Sequence, residues 1–208
     1  MSRPRLLPIL VILTICALIR LPAYVASLVQ GPEWLAYPAN FSPLYGLCLF
    51  SAATYRNRIW AYLAPLLAYV VGTLLIAVIT NKLSDALSPM ALFPLVGFAM
   101  FLLVGKSLRG RSVGFGTALG AGTLGAVLFF LVTNFSSWWL DPMMTPPTGY
   151  TRDLSGLVAS YVAGIPFSWM QFASTIFFSV LFFSPAMAPV MTTDAPREPQ
   201  LVPTPVAQ

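Results

Sequence analysis

Runs of apolar residues long enough to cross a bilayer dominate this sequence. A single helical crossing takes about 20 such residues. The first run covers residues 6–28 and is interrupted only by Arg20, Pro8 and Pro22. A short second run covers 42–54 and stops at Arg56 and Arg58. Others cover 59–80, 89–105 and 113–133. The last, 154–183, exceeds one perpendicular span and holds Gly164 and Pro166, so a kink or a break is expected there. Only 8% of the residues are charged, against roughly 25% in a soluble domain. A soluble globule of 208 residues could not bury the 58% that are hydrophobic. The fold class expected is therefore all-α, a polytopic membrane protein of about six transmembrane helices.

The charges support that count. With the N-terminus in the cytoplasm, the inner segments carry Arg3, Arg5, Arg56, Arg58, Lys106, Arg109, Arg111 and Arg197. The outer segments carry Lys82 and Arg152, with four acids: Glu33, Asp85, Asp141 and Asp153. That is the positive-inside pattern, and it puts both termini in the cytoplasm. As a signal peptide the run would have its apolar core over 6–19, but Arg20 follows that core directly and no convincing small-x-small cleavage site appears, so the run reads as a span. Two units result: a transmembrane domain over 1–184 and a proline-rich, irregular cytoplasmic tail over 185–208. The basic residues lie in loops, not in a stripe with aromatics, so nucleic acid is not an expected partner.

Several chemistries find no support. The chain has no histidine, and its two cysteines, Cys16 and Cys48, sit in apolar stretches as small buried hydrophobes. The spans hold no carboxylate for proton coupling, and no Gly-x4-Gly-Lys-Ser/Thr phosphate loop occurs. No nucleophile stands with a base and no ligand set suggests a metal or other cofactor, so the chain reads as a non-enzyme.

What polarity remains marks the candidate site. Arg20 is the lone charge inside a span, either pairing with an anion or snorkelling to the outer headgroups. Asn-Phe-Ser occurs twice, at Asn40 and Asn134, both at outer boundaries. There Asn caps a helix end and Phe anchors the interface. The long outer loop, 135–153, contains Trp138, Trp139, Asp141, Tyr150, Arg152 and Asp153. Its aromatics form either an interfacial belt or a lid over a pocket. In the last span Tyr161, Ser168, Trp169, Gln171, Ser174 and Thr175 surround Pro166, where a kink frees carbonyls and can line a cavity. Arg20, Asn40, Asn134, Trp138, Trp139 and Tyr161 are the candidate ligand-binding residues. Gly116 and Gly120 form a small-xxx-small pair for close helix packing or for a homodimer face.

Arg20-Leu21-Pro22, Asn40-Phe41-Ser42-Pro43-Leu44, the run from Val127 to Phe135 followed by Trp138, and Ala163-Gly164-Ile165-Pro166-Phe167 together resemble DUF6580, a bacterial membrane family of unknown function. The resemblance covers roughly residues 6–184 and implies a transport protein of the bacterial inner membrane. Its architecture is similar to the six-helix substrate-binding components of energy-coupling-factor transporters. Departures occur where that pattern has an acid, at Val71-Gly72-Thr73, and where it has Asn and Gly-Asp, at Met170, Ser174 and Thr175. The function implied is a small-molecule binding or uptake component without its own ATPase. It would work in the bilayer with an energising membrane partner or as a homo-oligomer. The alternative is an assembly protein that acts through helix packing.

Overall fold

A computed structural model of the chain describes residues 41–79, 93–143 and 147–193, with 3–5, 7, 8, 10, 11, 14, 18, 81 and 83 besides. Arg20, Asn40 and Cys16 lie outside the described residues. The described fold is helical. Helix α1 is Leu44–Thr54, α2 is Arg58–Ile79, α3 is Phe93–Ser107, α4 is Phe115–Leu140, α5 is Leu154–Phe183 and the short α6 is Ala188–Met191. Two residues at each end pair as strands, β1 (Arg3–Pro4) with β2 (Thr192–Thr193).

Three of these helices, α2, α4 and α5, are long and apolar enough to cross a membrane. They are inside-out compared with a soluble bundle. Large apolar side chains face outward, among them Leu67, Val71 and Val78 on α2, Leu124 and Leu131 on α4, and Val162 and Phe167 on α5. Small ones face inward, among them Ala61, Ala64 and Ala68 on α2, and Ala118, Ala121, Gly122, Gly125 and Ala126 on α4. Lipid supplies no hydrophobic drive between helices, so small inner faces that admit close contact are the packing expected of membrane helices.

Helix α1 behaves differently. Its 11 residues rise about 16 Å, roughly half of a hydrocarbon core. Leu47, Cys48, Leu49 and Phe50 have no exposed surface at all. A helix that is apolar all round belongs in the interior. The short second run is thus the centre of the bundle, with the other helices packed around it.

Glycines record how the helices run. A Cβ on Gly46 would meet Phe178 and Ser179, and Phe50 packs on Phe182 at 6.1 Å, so α1 and α5 are parallel. Gly97 meets Tyr45, and Gly105 meets Leu49 and Ala52, so α3 runs with them. Gly125 lies against Phe101 while Gly97 lies against Phe129, which makes α4 antiparallel to α3. Gly122 opposite Ser179 and Gly164 opposite Asn134 make α4 antiparallel to α5. The Ser51 hydroxyl donates to the Ala61 carbonyl at 2.8 Å, and Tyr69 meets Phe98 at 5.3 Å, so α2 also runs against α1. One end of the bundle therefore gathers the C-termini of α1, α3 and α5 and the N-termini of α2 and α4. The chain's beginning joins that end, because the Arg5 amide donates to the buried Met191 at 3.0 Å.

Three expectations change here. Helix α4 continues to Leu140 rather than stopping near 133, so residues 135–140 are helix, not loop. Polar side chains there bond back along the helix, Asn134 Nδ2 to the Phe130 carbonyl at 2.8 Å and the Ser137 hydroxyl to Thr133 at 3.0 Å. Pro166 does not break the last stretch, which is one helix over Leu154–Phe183. The tail is ordered at its start, because residues 184–193 form a turn, α6 and β2. Residues 194–208 lie outside the described ones.

Candidate binding site

Helices α4 and α5 share the longest seam in the bundle, and the four described candidate residues all sit on it. Asn134 fills the space opened by Gly164, where any Cβ would run into its side-chain amide. The Ser160 hydroxyl donates to the Asn134 backbone carbonyl at 3.2 Å, and the Tyr161 hydroxyl to that of Leu131 at 2.9 Å. Asn134 and Tyr161 thus tie the two helices together.

Trp138 and Trp139 serve the connection that follows. Trp138 Nε1 donates to the Thr151 carbonyl at 2.7 Å. The Arg152 guanidinium lies 5.3 Å from the Trp139 ring centre and 5.8 Å from that of Trp138, within cation–π range. Phe135 stacks on Trp139 with an interplanar angle of 8°. The aromatics therefore hold a cap across the end of the seam.

Two carboxylates shape that cap. Asp141 is only 3% exposed. It accepts from the Thr148 hydroxyl, from the Thr148 amide at 2.7 Å, and from the Gly149 and Tyr150 amides at 3.1 Å each. Gly149 has φ +84°, the left-handed backbone that glycine adopts without a Cβ penalty. The Thr148 hydroxyl foremost, then the three amides, hold Asp141 below the ordinary carboxylate range against the opposing effect of burial. Asp153 is the N-cap of α5. It accepts from Ser155 Oγ at 2.6 Å, Thr151 Oγ1 at 2.7 Å and the Gly156 amide at 2.9 Å. The two hydroxyls and that amide bring its carboxyl down to about 2.

Further along, several turns from the cap, the seam opens sideways into a groove of about 390 Å³, lined by Phe130, Ile165, Ser168, Trp169 and Phe172. That volume falls in the range of small-molecule sites. Phe130 forms one wall, 5.7 Å from the Tyr161 ring and 6.2 Å from that of Phe172. The Ser168 hydroxyl donates to the Gly164 carbonyl at 2.7 Å, in the turn that contains Pro166. The lining is apolar but for Ser168 and the Trp169 indole.

A second polar feature faces inward. Gln171, Ser174, Thr175 and Ser179 are buried along one side of α5. Gln171 Nε2 donates to Thr175 Oγ1 at 3.2 Å, while Gln171 Oε1 and Ser179 Oγ have no hydrogen-bond partner among the described residues. The spacing i, i+3, i+4, i+8 is the sequence signal for this line. The groove walls Phe130, Ile165 and Phe172 had no such signal, because apolar residues in an apolar span look alike. Gly116 and Gly120 play no part in the described packing, since no described atom stands within 4 Å of where their Cβ atoms would be. Close approach falls to Gly122 and Gly125 instead.

The family model for DUF6580, a family of unknown function, matches residues 1–195. The chain belongs to the DUF6580 family. No curated protein and no solved structure matches it. The functional reading of this DUF6580 member therefore rests on its own residues.

Proposed function

We propose that this DUF6580 protein is a multi-pass protein of the bacterial inner membrane. In this reading it binds a small molecule in the α4–α5 groove, as a binding or uptake component that performs no chemistry. The single observation that carries the reading is the groove itself: an apolar hollow of molecular size between α4 and α5, lined by Ile165 next to Pro166. The first run, α1, α2, α3, α4 and α5 make six passes, with α1 and α3 shorter than the bilayer core and shielded by their neighbours. The alternating directions of α1 to α5 support the last five of these. The end bearing Arg56, Arg58, Lys106, Arg109 and Arg111 is cytoplasmic by the positive-inside rule. With no phosphate loop in the chain, energy for uptake comes from a membrane partner.

Purified full-length protein is expected to melt at a higher temperature with at least one member of a panel of vitamins and nucleobases. At a hundredfold excess over Kd the gain is about 2.7 kcal/mol. Ser168→Phe fills the groove and should remove the shift without lowering the ligand-free melting temperature. An intact helical protein stabilised by no panel member, or equally stabilised with Phe at 168, contradicts the reading.

One observation favours assembly as a second reading. Among the described residues Gly116 and Gly120 meet no neighbour, beside the exposed Phe115 and Leu119, which offers a small-residue face to another helix. Leucine at both glycines should then release a co-purifying partner without altering ligand effects.

A further inference from the structure

We propose that the basic end of the bundle is a binding surface for anionic phospholipid headgroups, formed by two turns that Arg109 locks together. The first turn, residues 55–57, joins α1 to α2. The second, residues 108–114, joins α3 to α4. Arg109 reaches across with Nη2 donating to the Tyr55 carbonyl and, at 3.3 Å, to the Arg56 carbonyl. Its Nε is buried, so its guanidinium faces protein and it acts as the clamp rather than as a lipid ligand.

The clamp brings four exposed cations onto one surface. Arg56 lies in the first turn with Arg58 just after it, and Arg111 lies in the second with Lys106 just before it. The Arg109 amide donates to the Lys106 carbonyl at 3.2 Å and the Arg111 amide to the Leu108 carbonyl at 3.1 Å, so the second turn is itself closed. Among the described residues the only two acids, Asp141 and Asp153, stand at the opposite end of α4. Twenty-six helical residues separate the two ends, about 39 Å. No carboxylate among the described residues stands beside the four cations, and their charge favours a phosphate.

Apolar surface beside them selects a lipid among phosphates. Ile59 is 68% exposed one residue beyond Arg58, and Phe115 is 70% exposed four residues beyond Arg111. An anionic lipid places its phosphate on the cations and its acyl chains along these side chains. Juxtamembrane Lys and Arg attract anionic headgroups in just this setting. This inference rests on the reading that the chain spans a membrane.

The test measures retention of phosphatidylglycerol and phosphatidylcholine by full-length protein in detergent, by native mass spectrometry and by thermal melting, with an inorganic-phosphate arm. Phosphatidylglycerol should be retained in preference and should raise the melting temperature, while inorganic phosphate should do neither. Each exposed cation is worth about fivefold in affinity, so Arg56→Gln with Arg111→Gln should weaken retention about 25-fold. The lipid-free melting temperature should stay where it was, because both side chains are exposed. Equal retention of the two lipids, wild-type retention by the double variant, or equal stabilisation by inorganic phosphate overturns the proposal. Alkaline carbonate washing of membranes separates the two failures. A chain that washes off has lost the membrane reading. A chain that stays but ignores phosphatidylglycerol has lost only the lipid surface.

Discussion

Replacing Gly105 by alanine is expected to loosen the bundle at its centre. A Cβ there would collide with the Leu49 carbonyl oxygen and stand 2.8 Å from Ala52 Cβ. Both neighbours belong to α1, whose backbone is buried on every side, so neither can swing away. Overpacking of this kind costs about 1–3 kcal/mol, and a backbone collision belongs at the upper end. The control lies in the same protein. Gly116→Ala and Gly120→Ala meet no described atom and gain helix propensity, so they should be neutral or slightly stabilising. Unfolding midpoints in detergent against denaturant or temperature report the difference. If Gly105→Ala melts with the two controls, α3 does not pack on α1 as described.

Gly125 and Phe101 should prove energetically coupled. A Cβ on Gly125 would collide with the Cδ1–Cε1 edge of the Phe101 ring. That ring is fully buried and stacks on Tyr45 at 4.8 Å, so it has no free space to enter. Gly125→Ala alone should cost about 1–3 kcal/mol. Phe101→Ala alone should cost about 3 kcal/mol, the low end for losing a core phenylalanine, because its outer solvent is lipid rather than water. With the ring gone, the methyl at 125 has room, and alanine there should add no further cost. Residues in contact typically show coupling of about 0.5–3 kcal/mol. Strict additivity in the double variant would place the ring elsewhere than over Gly125.

Much of the helical framework was legible from hydropathy. Expected runs at 59–80 and 154–183 match α2 at Arg58–Ile79 and α5 at Leu154–Phe183. The misreadings have physical causes. Asn134, Ser136 and Ser137 looked like the start of a loop, yet Asn134 and Ser137 bond to carbonyls one turn back, so polarity alone did not end α4. Hydropathy marked the 42–54 run as an apolar helix but not its place at the centre of the bundle, because apolarity does not distinguish lipid from protein as surroundings. Only its neighbours reveal α1 as core. The candidate residues Asn134, Trp138, Trp139 and Tyr161 lie together at the end of the α4–α5 seam. Their hydrogen bonds and ring contacts, however, serve the helix pair and the Arg152 cap. The groove below them depends on the relative rotation of two helices, which no single-chain periodicity encodes. The pairing of Asp141 with residues 148–150 is likewise a matter of the turn's path, though Gly149 marks where that path needs a left-handed residue.

The central claim is a bundle that crosses the membrane with its basic end inside. It is tested most directly by single cysteines in a chain carrying Cys16→Ala and Cys48→Ala. Arg56→Cys, Arg111→Cys and Ser184→Cys report the basic end, and Thr148→Cys reports the capped end. In intact cells stripped of their outer barrier, a membrane-impermeant maleimide should label position 148 alone. In inverted vesicles it should label 56, 111 and 184 and spare 148. Labelling of 111 and 148 from the same side would mean that α4 does not cross, and would contradict the account.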